Sequence, residues 1–181
     1  MRFERIFDDL EARFAHHERE EMRAVSEDLA RAERAQLSLA DRLRGAGGSP
    51  LALHLGTALR LEGTVEDVGE GWVSLHEEGG RRRTVVPLPA IALLEGLPVR
   101  ARPAEETRRS TLGLGSVLRS IARDRSVVRL ETTAGGIMGR LAAVGADAVD
   151  VHSLPTGESG AAPGSTRITV AMGALLAVRP R

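Results

Sequence analysis

LEGTVEDVGEGWVSLH at Leu61–His76 has a second copy, IMGRLAAVGADAVDVH, at Ile137–His152. A constant separation of 76 positions lays Gly63 on Gly139, Val68 on Val144, Gly69 on Gly145, Val73 on Val149 and His76 on His152. In the first copy Leu61, Gly63 and Val65 alternate with Glu62, Thr64 and Glu66, the two-residue period of a half-buried strand. Val68 breaks the alternation, so the strand must bulge or bend sharply ahead of it. Gly63 and Gly139 stand where a small sheet curls over its own core, and glycine permits that bend. After the turn, Val73 and Leu75 face inward, as do Val149 and Val151 in the second copy, while Trp72, Ser74 and His76 face the other way.

The duplication runs further. LSLADRLR at 37–44 falls on LGLGSVLR at 112–119 with a separation of 75, matching Leu43 to Leu118 and Arg44 to Arg119. At that separation Leu53 and Leu55 fall on Val128 and Leu130, and one residue inserted in the second copy's TTAGG turn carries the separation to 76. VVPLPAIALL at 85–94 then matches RITVAMGALL at 167–176, 82 positions on, across the longer loop SLPTGESGAAPGS. Each unit reads as a short helix followed by four or five short strands. The Pro and charge content of LPVRARPAEETRRST at 97–111 marks a linker. The predicted organisation is a helix over 1–36, a first unit over 37–97, a linker over 98–109 and a second unit over 110–181.

Ahead of the repeat, Phe3, Ile6, Phe7, Leu10 and Phe14 recur at helical spacing with acids and Arg between them. The stripe skips a turn at HHEREE and resumes with Met22, Val25, Leu29 and Ala32. No Gly or Pro interrupts it before GAGGSP at 45–50, which stops the helix. A helix this long, with one apolar stripe, cannot bury that stripe against itself. It predicts pairing with another helix or another copy of the chain, and hence a homo-oligomer.

Composition narrows the classes. Hydrophobic residues make up 42% and charged residues 28% of the 181, ordinary for a soluble globular chain. Three Phe, one Trp and no Tyr leave a core of Val, Leu, Ile and Ala, and small aliphatic units of this kind usually recruit a partner surface. Without Cys there are no disulfides and no thiolate metal sites, which fits a reducing compartment. MRFERIFDDLE is too charged for a signal peptide and no apolar run reaches membrane-spanning length, so the expectation is a cytoplasmic protein with no membrane partner. Net charge is zero, yet residues 98–181 carry 12 Arg against 7 acids, so only that half attracts a polyanion.

The order helix, apolar–x–Gly–x–apolar–x–x–apolar–Gly, then VPLPAIALLEGL resembles the bacterial Sm-like family, a form of the SH3-like small barrel. LEGTVEDVGEGWVSL resembles its first motif, and VVPLPAIALLEG the strand pair that completes the barrel. A tandem pair behind a charged helix also resembles a two-barrel group of high-GC bacteria often labelled transcriptional regulators. The resemblance covers 37–97 and 110–179. It implies an α+β fold, with the long N-terminal helix followed by two tandem Sm-like or SH3-like β-barrels, each preceded by a short helix. It further implies rings in which strands of one subunit extend the sheet of the next, and RNA as a family ligand. Gly69 and Gly145 occupy the family's usual Asp position, so no RNA-binding residue carries over.

Candidate chemistry is sparse. Arg81, Arg82 and Arg83 follow HEEGG in a hairpin loop, where they either track phosphates or form a solvated loop balanced by Glu77 and Glu78. Trp72 is either an anchor for a partner or a stacking platform for a base, or it packs inside the molecule, under the preceding helix or between the units. His76 and His152 supply one His per unit, too few for a metal site, and His16 and His17 diverge on the helix. LGLGS at 112–116 lacks phosphate-loop spacing and reads as a helix start. No nucleophile, paired carboxylate or cofactor motif appears, so no catalytic residue, metal or cofactor is assigned. The expected function is that of a non-catalytic oligomerising binding or scaffold protein, joined through the N-terminal helix and the barrel edges. A protein partner is compatible with it, and the alternative is a nucleic-acid-binding regulator.

Overall fold

The computed structural model describes residues 2–56, 58–77, 83–98, 101–102, 112–154 and 165–180, and the side chains of 2–15 and 33 lie outside that description. Two compact units result, Met1–Ser38 and Leu39–Arg181. The first is the predicted helix, α1 (Arg2–Gln36). Phe3, Ile6, Phe7, Leu10 and Phe14 lie on its backbone, with side chains outside the described set. Further along, Met22, Val25 and Leu29 are 65%, 59% and 61% exposed.

The second unit begins with α2 (Leu39–Gly45), then β1 (Pro50–Leu55), β2 (Leu59–Gly69), β3 (Trp72–Glu77), β4 (Arg83–Pro87), a 3-10 turn and β5 (Ile91–Glu95). The same succession repeats as α3 (Leu114–Arg123), β6 (Val127–Thr132), β7 (Gly135–Val144), β8 (Ala148–Ser153), β9 (Arg167–Ala171), a 3-10 turn and β10 (Leu175–Pro180). All ten strands join one antiparallel sheet in the order β5-β1-β2-β3-β4-β10-β6-β7-β8-β9. Each half therefore has its last strand beside its first, and the halves meet where β4 pairs with β10 at Val85 and Val178. Among the described residues no pairing closes the sheet, which ends on β5 and β9.

Cross-strand register carries the duplication into three dimensions. Gly63 pairs with Glu77 as Gly139 pairs with Ser153, and both ladders slip at the same place, between Val65 and Asp67 and between Leu141 and Ala143. That slip is the bulge the broken alternation at Val68 demands. A Cβ on Gly63 would collide with the His76 carbonyl oxygen, and one on Gly139 with the His152 carbonyl oxygen. Both glycines are thus required by close backbone approach at the bend.

Elsewhere the register corrects the sequence alignment. Leu51 pairs with Gly63 and Val128 with Gly139, so β1 and β6 correspond at a separation of 77, not 75. Leu53 matches Leu130, and Leu55 matches Thr132. The extra turn residue belongs to the first copy: Leu55 pairs with Leu59, whereas Thr132 pairs with Gly135. Likewise Pro87 opposes Trp72 as Ala171 opposes Ala148, which sets the last strands 84 positions apart, not 82. A two-residue slip leaves every side chain on the same face, so hydrophobic alternation cannot detect it.

Two aliphatic cores lie within the sheet unit. Leu43 of α2 and Leu118 of α3, equivalent in the sequence alignment, are both fully buried, one in each core. The first core gathers Leu53, Leu61, Val73, Leu75 and Val86, and includes Ala177 from β10. The second gathers Val128, Leu130, Leu141, Val149 and Val151, and includes Trp72 and Val85 from the first half. The cores thus exchange residues across the β4–β10 seam.

Replacing Gly63 or Gly139 with Ala forces backbone apart at a tight crossing and is expected to cost about 1–3 kcal/mol each. Because each core takes residues from the other half, urea denaturation followed by Trp72 emission should show one transition, and Gly139→Ala should lower its midpoint as Gly63→Ala does. A Trp72 signal indifferent to Gly139→Ala would contradict the shared-core reading.

Candidate functional site

The seam is where sequence from both halves converges. Trp72 opens β3 and is only 4% exposed. Its indole Nε1 donates to the Leu112 carbonyl oxygen at 2.8 Å, from the first half to the segment ahead of α3. Gly69 makes room for the ring, since a Cβ there would strike the indole. At the matching place Gly145 faces only the small Ala148. Of the readings of Trp72, the structure shows packing between the units: the ring lies in the second core and is almost fully buried, so it is no exposed platform for a base or a partner. Ser74, predicted to share its outward direction, is also buried.

Charge reinforces the seam. Glu77 at the end of β3 lies 3.1 Å from Arg179 of β10 and accepts from the Thr84 hydroxyl. Arg179 also approaches Glu131 of β6 at 3.7 Å. Arg179 and Glu77 are each about a quarter exposed, so this pair is less screened than a surface one.

Beside Trp72 runs a groove of about 470 Å³. One wall carries Asp67 and Arg83 from the first half; the other is α3. Helix α3 lines it with Ser116, Arg119, Ser120 and Arg123, spaced so that all four lie on one helical face. Arg83 pairs with Glu66 at 2.7 Å. Asp67 accepts the Val68 backbone N–H at 2.9 Å. Arg119 donates to the Ser116 hydroxyl at 3.2 Å. Of the predicted arginine triplet only Arg83 is among the described residues; Arg81 and Arg82 lie outside them. Sequence reasoning missed Arg119 and Arg123, although the run SVLRSIAR shows the spacing.

A second hollow of about 330 Å³ lies on the second half. Arg140, His152 and Arg167 form a row across β7, β8 and β9 and line it together with Thr166. Asp150 offsets this charge: the Thr169 hydroxyl and then the Arg167 guanidinium hold its carboxyl below the usual carboxylate range. On the opposite edge His54 and then Arg60 do the same for Glu95. Among the described residues no three His, Asp or Glu side chains gather as a metal site would require, and His76 and His152 lie in separate halves. Nor is any described helix long and apolar enough to cross a membrane. LGLGS proves a helix start, with Gly113 as the N-cap of α3.

No protein-family model matches the chain, and no curated protein matches it either.

A carboxyl whose pKa is lowered by folding stabilises the fold above its unfolded value and loses that contribution as pH falls through the lowered value. Acid unfolding of Asp150→Asn should accordingly show a shallower fall in urea midpoint between pH 5 and pH 2 than the parent, as about the ordinary carboxylate range is crossed. The Asp150 side chain is 20% exposed and its Arg167 partner 65%, so the difference should shrink further in high salt.

Proposed function

We propose that this chain is a non-catalytic, self-associating binding or scaffold protein, built as two tandem Sm-like barrels behind a pairing helix. The repeated strand order and the two separate cores support the barrel reading. One observation carries the self-association. In the internal seam Ala177 of β10 is fully buried in the neighbouring half's core. Its counterpart on the free edge strand β5 is Leu93, since Leu93 opposes His54 as Ala177 opposes Glu131. Leu93 is 52% exposed. An apolar side chain that the seam buries is left uncovered at β5, and β9 is the matching edge without a partner among the described residues.

A second copy that offers β9 to β5 repeats the junction already made inside the chain. Such edge pairing gains main-chain hydrogen bonds together with burial of Leu93. The contact is head-to-tail, so it builds rings or open chains. The apolar stripe Met22, Val25 and Leu29 of α1 supplies a second contact through helix pairing.

Light scattering at high micromolar concentration should give a mass above that of one chain. Leu93→Arg should weaken association at least tenfold while shifting the thermal midpoint by no more than a few degrees, because the side chain is exposed. Leu29→Glu should weaken the helix contact independently. A strict monomer, or an oligomer indifferent to both changes, refutes the proposal.

The alternative is a nucleic-acid-binding regulator, which rests on the net +5 of residues 98–181. It requires affinity for RNA or DNA that falls steeply with salt. Filter binding at low salt that retains neither nucleic acid removes it.

A further inference from the structure

The two copies differ most where α3 faces the seam groove, and that difference has a chemical direction. In the first copy Arg44 of α2 is tied to Asp41, three residues earlier, at 2.7 Å, and its side chain is 12% exposed. In the second copy the same two places hold Arg119 and Ser116. The carboxylate has become a neutral hydroxyl, so the charge of Arg119 is not cancelled along its own helix. Arg123, one turn on, stands on the same groove-lining face in place of Gly48, and Ser120 in place of Gly45. Glu66 and Asp67 offset Arg83 on the opposite wall. That wall is left one charge negative, so the groove is net positive through Arg119 and Arg123, with the Ser116 and Ser120 hydroxyls beside them, over a floor of Leu112 and Val117.

We infer that this groove binds a small phosphate ester bearing an apolar or ring portion, of about the size of a nucleoside diphosphate. Guanidinium groups recognise phosphate oxygens through paired N–H donors, and serine hydroxyls complete such contacts. The apolar floor takes the remainder of the ligand. At about 470 Å³ the groove has the capacity of a small-molecule site. Acids border it on the first-half wall, and the whole chain has no net charge, which suits a compact anion better than a long polyanion. The inference is independent of self-association through β5 and β9, since the groove is complete within one chain.

The decisive variant restores the first copy's pattern. Ser116→Asp places a carboxylate three residues before Arg119, and an acid in the first turn of a helix is favourable, so folding should be retained or improved. Calorimetric titration of the full chain with ADP should show saturable binding, with a change in Trp72 emission that locates it. Ser116→Asp and Arg123→Ser should each weaken ADP at least fivefold while the thermal midpoint holds, and pyrophosphate should bind more weakly than ADP. Three results overturn the inference: no saturable ADP binding, ADP binding indifferent to both variants, or pyrophosphate binding as tightly as ADP. A single-stranded oligonucleotide that binds where ADP does not also overturns it, in favour of a polymer ligand. Loss of self-association in Leu93→Arg, with ADP binding intact, would separate the two proposals.

Discussion

The exchange of side chains across the β4–β10 seam is the interaction on which the sheet unit depends. With few aromatics available, each half has a core of Val, Leu and Ala, and units so small are marginal when isolated. The seam alters that balance. Trp72 and Val85 complete the second core, and Ala177 completes the first, so neither half has a full interior without the other. The Trp72 hydrogen bond to Leu112 and the Glu77–Arg179 pair fix the halves in one arrangement. Gly69 is the local condition for all of this, because any side chain there would displace the indole.

Much of the architecture was legible in the residues. Alternation named the buried positions of β2, the failure of alternation at Val68 located the bulge, and Gly63 and Gly139 marked the bend. The long helix was equally plain, but it ends at Gln36, ahead of GAGGSP, and the helix that reaches GAGGSP is the separate α2. The separations of 75 and 82 went astray because strands repeat every two residues, so an alignment shifted by two satisfies every face. Hydrogen-bonded partners, which fix the true value, leave no trace in a hydrophobic pattern. Closure into barrels could not be read either, since it depends on how far each half curls and not on which residues alternate.

The seam groove shows a different limit. Ser116, Arg119, Ser120 and Arg123 are spaced as one helical face, a pattern available to any reader. Their meaning depended on Asp67 and Arg83, which the fold brings opposite from distant places in the chain. Trp72 was ambiguous for a related reason. Its alternation excluded its own core, and only the neighbouring half supplied another interior for it to enter.

Joining β4 to β10 within one polypeptide has an arithmetic outcome. Each chain contributes two five-stranded units already docked, and among the described residues one edge of each kind is left without a partner strand. Any closed circle assembled edge to edge from intact chains must then hold an even number of such units. Odd-membered circles are forbidden by covalent connectivity, whatever curvature the strands would otherwise prefer.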